Sequence, residues 1–219
     1  MSDLQSSAYA ATGERTRAVS TATIFGQVMF LVGIAIGFTA IGSLIGRDLS
    51  YGTARVLGFV SIGMLFAQSF VAPLRRGAVG MTWLFALSVI LGLSLGPIIA
   101  YYSTADPTAV TQAAGGTALI TLSMGAWGLA TSKDLARWIR PLSIAMLVLF
   151  GISLLLLLFG GAGSPLFSLV VLGVSAALLV VDFNYVRRHA DEDDVIWLAT
   201  GIYVSVVNIF LSLLNLFSR

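Results

Sequence analysis

The chain has 219 residues, of which 58% are hydrophobic and 10% charged, and its formal net charge is +2. Apolar stretches of about 20 residues recur along it, which is the length of a membrane-spanning helix and more than a soluble core requires. So small a charge, carried by scattered arginines, argues against nucleic-acid binding. The absence of cysteine excludes disulfides, thiolate catalysis and cysteine-ligated metal or iron–sulfur sites.

The first 46 residues divide into a polar part and an apolar part. Residues 1–20 lack an apolar core, and we expect a polar cytoplasmic tail there. Residues 21–46 form an apolar run that is too long for a cleavable signal and has no convincing small-residue cleavage site, so we expect a retained first helix. Charges and turn residues mark off six further apolar segments, at residues 54–74, 78–102, 109–131, 141–160, 166–186 and 195–217.

All seven apolar segments are predicted to be helices. A helix gives every backbone amide a partner inside hydrocarbon, whereas barrel strands would be about ten residues long and alternating in polarity. The sequence therefore predicts an all-α membrane protein, with a single seven-helix transmembrane domain over residues 21–217. The connectors are too short to hold a separate soluble domain.

Basic residues predict the orientation of the bundle, because short cytoplasmic loops carry an excess of lysine and arginine. The tail and the second, fourth and sixth connectors contain nine of the basic residues, and the other side contains three. We therefore expect a cytoplasmic N-terminus and an external C-terminus. The short loops and the lack of an organellar transit signal favour a bacterial inner membrane.

Small residues four positions apart predict close helix contacts in lipid. This spacing occurs at Gly33/Gly37, Gly42/Gly46 and Gly92/Gly96, although some such pairs arise by chance in a chain with 23 glycines. The glycine-rich run at residues 160–165 lacks the Lys-Ser/Thr of a phosphate-binding loop, so we expect a tight turn there.

Asp182 is the one carboxylate inside any long apolar segment, and it lies near the end of the sixth. An acid within a membrane costs about 2.5–3.5 kcal/mol to insert, and such residues are rare and usually functional. Protonation removes the charge, so Asp182 is a candidate proton-sensitive latch. The alternative is a structural ion pair that anchors the cytoplasmic end of the helix. Its candidate partners are Arg75, Arg76, Arg187 and Arg188.

Polar residues form one stripe on each of the last two helices. Ser168, Ser175 and Asp182 recur every seven residues and share one helical face. On the seventh helix the stripe consists of Gly201, Ser205, Asn208, Ser212 and Asn215. The stripes are either hydrogen-bonding seams between helices, worth about 0.6 kcal/mol per contact, or the lining of a wet cavity that contains Asp182.

Two further features lie between the last two helices. The acidic cluster at residues 191–194 is either a helix cap, favoured by the positive end of the helix dipole, or a cation-attracting mouth. Its spacing is not that of an EF-hand loop. His189 is expected to be a solvated loop residue rather than a pH sensor.

Several short stretches carry a resemblance to a known family. They are LGPII at residues 95–99, GTAL at 116–119 followed by TSKDL at 131–135, DFN at 182–184 and IYVSVVNIFL at 202–211. In their order and spacing, and in the seven-span layout over residues 21–217, the chain resembles the Bax inhibitor-1 (transmembrane Bax-inhibitor-motif) proteins.

The resemblance implies a seven-helix bundle with the last helix central, a cytoplasmic N-terminus, and a pH-dependent calcium leak governed by two aspartates on helices six and seven. It also implies a link to suppression of stress-induced cell death and, in bacteria, to restraint of an ATP-dependent membrane protease. Asp182 matches the helix-six aspartate. At the position of the second aspartate, three residues before the Asn-x-Phe, this chain has Ser205.

Enzyme classes are excluded by missing residues. Intramembrane aspartyl proteolysis needs two aspartates in the bilayer, serine chemistry needs a histidine better placed than His189, and a retinal Schiff base needs a lysine within a helix, whereas Lys133 lies in a connector. No zinc-protease signature is present. We expect a non-enzyme with no cofactor and no metal.

Two functions remain open. The first is a cation pathway, for calcium or another ion, with Asp182, Ser205 and Asn208 lining a water-filled cavity. Its candidate supporting residues are Asn184, Ser175, Ser212, Arg75 and Arg76. The second is a non-conducting regulator that binds a membrane protease or a stress or cell-death partner, which predicts a dry bundle and a tail that orders only in a complex.

Overall fold

The computed structural model of the chain describes residues 2–158 and 164–218, and gives only the backbone of residues 2–20 and of Leu154, Leu157 and Leu158. Most of the glycine-rich run, residues 160–163, lies outside the described residues. The described part contains seven α-helices and no strand: α1 (Ser2–Ile45), α2 (Tyr51–Phe70), α3 (Gly77–Ala105), α4 (Pro107–Ala130), α5 (Ile139–Leu158), α6 (Pro165–Arg188) and α7 (Val195–Phe217).

All seven helices are long and apolar enough to cross a membrane. The predicted class, an all-α integral membrane protein, is confirmed. The helical backbone of α1 begins at Ser2, so residues 2–20 continue the first helix. α2 ends at Phe70, earlier than its apolar run, because Val71 is extended and Pro73 enters a short 3-10 turn.

Polar caps fix the starts of several helices. The side chain of Ser50 accepts a hydrogen bond from the amide of Thr53 at the start of α2. The side chain of Asp106 accepts one from the amide of Ala109 at the start of α4. Such caps satisfy backbone amides that have no partner within the helix.

α7 is the central helix. It packs against α1, α3, α4 and α6, and its apolar window is 56% buried, against 11% for the segment Ala136–Ser153, which includes most of α5. The prediction of a central last helix is confirmed. α2 and α5 lie at the edge, where α2 packs mainly on α3 and α5 mainly on α6.

Glycines bring α1 and α3 into backbone contact. A Cβ atom added at Gly42 would lie 2.6 Å from the carbonyl oxygen of Val89, and one at Gly96 would overlap the backbone of Gly46. The small-residue spacing therefore marks a real interface here. At Gly33 and Gly37 an added Cβ atom would meet nothing within 4 Å, so that pair makes no close contact in the described part of the chain.

Three connectors lie at one end of the bundle, which we call the basic end: residues 71–76, 131–138 and 189–194. They are linked there by contacts such as the ion pair between Arg76 and Asp193, with N and O atoms 3.3 Å apart. The connectors at residues 46–50 and 106 lie at the opposite end, which we call the far end.

Candidate functional site

Asp182 is buried in α6, with 5% of its surface exposed, and it lines a cavity of about 680 Å³. It lies in a run of buried residues, 178–184, where α6 packs against α4 and α7. With the residues that the structure describes, Asp182 makes no hydrogen bond or ion pair. A buried carboxyl group without a protein partner is rare, because burial removes its hydration without replacing it.

The cavity lies between α2 and α5, with α6 and α7 behind it. Arg75 and Arg140 line it towards the basic end. Its other polar lining residues are Gln68, Ser69, Ser143, Tyr185, Thr200 and Ser205, and α5 contributes more of its apolar lining than any other helix. The cavity therefore joins a charged end to a deep carboxyl group through a partly polar wall.

Ser205 and Gly201 of α7 border the cavity beside Asp182. Ser205 is 2% exposed, and the structure contains no hydrogen bond between it and Asp182. Gly201 is the closer neighbour, because a Cβ atom added there would lie 3.3 Å from Oδ2 of Asp182. The missing side chain at Gly201 makes room for the carboxyl group.

Asn208 does not border this cavity. Its Nδ2 atom faces Sδ of Met146 on α5, at 3.6 Å. Of the three residues predicted to share a cavity, the structure brings Asp182 and Ser205 together and places Asn208 at a helix contact one turn away.

Towards the far end the two polar stripes behave as a seam. Oγ of Ser168 donates a hydrogen bond to Oδ1 of Asn215, at 3.2 Å, which joins α6 to α7. Ser175 is fully buried, and its hydroxyl group has no partner among the described residues. Ser212 is also buried. The pair Ser168 and Asn215 therefore supports the seam interpretation towards the far end, whereas Asp182 and Ser205 line the cavity towards the basic end.

The arginines considered as ion-pair partners of Asp182 bind other groups. Nε of Arg75 donates to the carbonyl oxygen of Gln68, at 2.7 Å, and Nη2 donates to that of Ser69. Arg76 pairs with Asp193. Each therefore stabilises a connector or a helix end.

Arg187 and Arg188 reach a different connector. Arg187 donates to the carbonyl oxygen of Thr131, and Arg188 to that of Ser132. They hold the connector between α4 and α5 against the end of α6.

Asn184 holds the same connector. Its Nδ2 atom donates to the carbonyl oxygens of Gly128 and Lys133, each at 3.2 Å, and its Oδ1 atom accepts from the amide of Leu135 at 3.0 Å. Asn184 is fully buried and points away from the cavity. It is therefore a structural clamp, and it supports the site only by fixing the connector that leads into α5.

Three cavity residues were not among the sequence candidates. Gln68 is 4% exposed, and its Nε2 atom donates to Oγ1 of Thr200 at 3.0 Å, which ties α2 to α7. Its polarity within an apolar segment was a usable signal. Gly201 carried no sequence signal beyond its place in the α7 stripe, and Arg140 carried none beyond a positive charge in the fourth connector.

The acidic cluster caps the 3-10 turn Glu192–Asp194 that leads into α7, whereas Asp194, the N-cap residue of α7 itself, makes no side-chain cap bond. Oδ1 of Asp191 accepts hydrogen bonds from the amides of Asp193 at 2.9 Å and Asp194 at 3.2 Å, directly before α7. Among the described residues, no group of three or more His, Cys, Asp or Glu side chains is placed to hold a metal ion.

His189 is partly exposed and contacts Asp134, with Nε2 and Oδ2 2.8 Å apart. The amide of Ala136 also donates to Asp134, at 2.9 Å. The bond from Ala136, followed by that from His189, lowers the pKa of Asp134 from its ordinary value of 3.8.

Comparison with known proteins places this geometry in a family. The family model described as inhibitor of apoptosis-promoting Bax1 matches residues 21–219. The chain belongs to the Bax inhibitor-1 family. The match spans every helix that lines the cavity, and the resemblance seen in the short sequence stretches is confirmed.

Bacterial relatives in this family are similar over most of their length. The chain is 26% identical to an uncharacterized membrane protein of Vibrio cholerae, over 94% of this chain and 93% of that protein. It is 27% identical to the modulator of FtsH protease YccA of Escherichia coli (strain K12), over 93% of each. The same identity and coverage relate it to the inner membrane protein YccA of Escherichia coli O6:H1.

Proposed function

We propose that the protein is a proton-sensitive cation leak in which Asp182 is the switch. The observation that carries the proposal is the burial of Asp182 without a protein partner in a cavity of about 680 Å³. An ionised carboxyl group is costly at that depth unless water or a cation solvates it. A partly polar cavity of this size has room for several water molecules.

The charges around the cavity explain why protonation would matter. Arg75 and Arg140 line the basic end, and their positive charge opposes the entry of a cation. An ionised Asp182 offsets part of that potential, whereas a protonated one does not. Cations should therefore pass more easily when Asp182 is ionised. Tyr185 also lines the cavity, but its hydroxyl group donates to Asp194, at 3.3 Å.

Calcium is the first ion to test, because the Bax inhibitor-1 family resemblance implies a calcium leak. We further propose that the membrane is a bacterial inner membrane, as in the printed name of the Escherichia coli O6:H1 relative, and that the N-terminus is cytoplasmic. The excess of basic residues at the basic end supports this orientation. The proposed activity is non-enzymatic.

The test is calcium flux into liposomes that contain the purified protein, measured at two pH values. We expect flux that falls as the pH is lowered, and an Asp182→Asn variant with low flux at both pH values. Asp48→Asn is the matched control, since it makes the same chemical change at an exposed position of the far end. Equal flux from the native protein and Asp182→Asn, or no flux from either, overturns the proposal.

A second function is supported by a different observation. The Escherichia coli K12 relative that matches 93% of this chain is named as a modulator of FtsH protease. We therefore also propose that this protein modulates a membrane protease of its own cell, without conducting ions. Experiments can distinguish the two proposals, because the cation leak needs the carboxyl group of Asp182 and protease modulation does not.

The test of the second function is the lifetime of a membrane-protease substrate in cells with and without the protein. We expect the lifetime to change when the protein is present, and Asp182→Asn to act like the native protein. A variant that lacks residues 2–20 tests whether the N-terminal segment makes the contact. An unchanged lifetime with the native protein overturns this proposal and leaves the leak unaffected.

A further inference from the structure

The cavity beside Asp182 has an outer part with a different chemistry. α2 and α5 bury less of their surface than any other helices and make few contacts with each other. The space between them is a cleft at the edge of the bundle, facing the position of the lipid. We call it the α2–α5 cleft, and its walls are Leu65, Gln68, Arg75, Arg140, Ile144, Leu147 and Phe150.

Two arginines mark the basic end of the cleft. Arg140 is exposed and makes no hydrogen bond or ion pair with the described residues. It lies in the first turn of α5, where the helix dipole disfavours a positive charge and does not compensate it. Arg75 uses two of its five N–H groups on the end of α2. The pair therefore offers unused donors and net positive charge.

The rest of the cleft wall on α5 is apolar. Ile144, Leu147 and Phe150 continue along the helix away from Arg140, at spacings of three and four residues, and so share one face. Ile144 is 60% exposed, so this face is continuous with the lipid-facing surface. The whole cavity, of which the cleft is the outer part, has a volume of about 680 Å³, which is within the range of small-molecule sites, about 300–1,000 Å³.

We propose that the α2–α5 cleft binds one anionic phospholipid. Its phosphate lies against Arg140 and Arg75, and one acyl chain follows Ile144, Leu147 and Phe150 towards the middle of the bilayer. Basic pockets between transmembrane helices recognise anionic head groups in this way. Asp182 lines the same cavity, and in its protonated form it carries no charge that would oppose the phosphate.

A lipid fits the cleft better than a free phosphate or a soluble anion. The charged end of the cleft is short, and most of the remaining wall consists of apolar side chains. A soluble anion would leave this wall facing lipid or water, whereas an acyl chain covers it. The proposal does not depend on ion conduction, because lipid binding can be measured on a protein that conducts nothing.

The test uses the full-length protein, delipidated in detergent and titrated with phosphatidylglycerol while native mass spectrometry counts the bound molecules. We expect one tight site for phosphatidylglycerol, and weaker binding of phosphatidylcholine with the same acyl chains. Arg140→Gln should weaken phosphatidylglycerol binding about fivefold, since one basic residue near a membrane surface contributes about 1 kcal/mol. Arg137→Gln is the matched control. Arg137 is an exposed arginine three residues before Arg140, and it packs against the ring of Trp138 rather than lining the cleft. It should bind like the native protein.

Two further measurements distinguish a bound phospholipid from a bound soluble phosphate. Glycerol phosphate, which lacks acyl chains, should not compete with phosphatidylglycerol. Leu147→Trp, which fills the apolar part of the cleft and leaves every charge in place, should weaken binding as well. Thermal unfolding of each variant without lipid checks that it is folded.

Three results would overturn the proposal. The first is equal affinity for the anionic and zwitterionic lipids. The second is an equal loss from Arg140→Gln and Arg137→Gln, which would indicate a diffuse charge effect. The third is competition by glycerol phosphate at the affinity of the lipid, which would make the site one for a soluble phosphate.

Discussion

Gly201 of α7 stands directly against the carboxyl group of Asp182 on α6: a Cβ atom at Gly201 would lie 3.3 Å from Oδ2 of Asp182. That separation is tighter than an ordinary contact, so the two positions are coupled across the wall of the cavity. The space that holds the carboxyl group exists because position 201 has no side chain.

Gly201→Ala should therefore change the site more than the fold. Alanine gains about 1 kcal/mol over glycine in helix propensity, which offsets the small shift that the new methyl group requires. We expect the free energy of unfolding in detergent to stay within about 1 kcal/mol of that of the native protein. Calcium flux in liposomes should be lower. Gly201→Val should lower the flux further.

Gly173→Ala is the control for this change, because an added Cβ atom at Gly173 of α6 meets nothing within 4 Å. It should leave flux unchanged. If Gly201→Ala and Gly173→Ala conduct alike, the packing of Asp182 on α7 has no part in conduction.

The contact between α1 and α3 predicts a difference in stability between glycines of the same spacing. Gly92→Ala would push a methyl group into the backbone of Thr39, and neither helix can give way as a flexible side chain would. We expect a loss of about 1–3 kcal/mol, as for other overpacked positions. Thermal unfolding in detergent measures it.

Gly33→Ala provides the comparison, since its new methyl group enters open space. It should be neutral or slightly stabilising because of its helix propensity. A loss of stability as large as that of Gly92→Ala would mean that helix backbone contact is not what makes Gly92 necessary.

The hydrogen bonds of Asn184 predict that its loss destabilises the connector between α4 and α5. Asn184→Ala removes three hydrogen bonds, one buried and two part-buried, and leaves their backbone partners unsatisfied, so we expect a loss of about 2–4 kcal/mol. Hydrogen exchange should show the amide of Leu135 losing its protection.

Asn184→Asp separates the two halves of this clamp. The acceptor for the amide of Leu135 is kept, while the donors to Gly128 and Lys133 are lost. Protection at Leu135 should then fall less than in Asn184→Ala. Equal loss in both variants would show that the donor bonds, rather than the acceptor, hold the connector.

The stability of the same connector is expected to depend on pH through the carboxyl group of Asp134. Its pKa is lowered in the folded protein, chiefly by the amide of Ala136 and then by His189. The carboxylate therefore stabilises the fold fully above its ordinary pKa of 3.8, and this stabilisation is lost as the pH falls through the lowered value.

Hydrogen exchange of the connector, residues 131–138, should thus be independent of this group at neutral pH and rise only in acid below about 4. Asp134→Asn should show weaker protection at neutral pH and no acid-dependent step. A step that persists in Asp134→Asn would assign it to a different carboxylate.

The sequence was sufficient for the fold, and it singled out Asp182 as the candidate site residue, for identifiable reasons. Long apolar runs leave the backbone no alternative to a helix in lipid, so the seven spans could be predicted. Asp182 could be singled out because a lone carboxyl group in such a run has no ordinary explanation.

The helix contacts and the lining of the cavity could not be predicted, because they depend on which residues of different helices meet. The spacing of residues along one helix does not determine this. Gly33/Gly37 and Gly42/Gly46 have the same spacing, yet only the second pair faces α3. Asn184 stands two residues from Asp182 but serves a connector about 50 residues away in the chain, with Leu135 at a separation of 49. Asn208 does not line the cavity, and its Nδ2 atom instead contacts Sδ of Met146 on α5.

Ser205 offers the sharpest test of how this chain departs from its family. Ser205 and Asp182 line one cavity, and in the family resemblance the position of Ser205 belongs to a second aspartate. Ser205→Asp would put two carboxyl groups in the same space, where like charges oppose double ionisation and the pair would share a proton.

We expect Ser205→Asp to make calcium flux in liposomes depend more steeply on pH than in the native protein, with two titration steps in place of one. Ser205→Asn is the control, since it has nearly the same size and adds no ionisable group. It should keep the native pH profile. If Ser205→Asp and Ser205→Asn give the same profile, the two positions do not interact through a proton. Asp182 would then have to act alone.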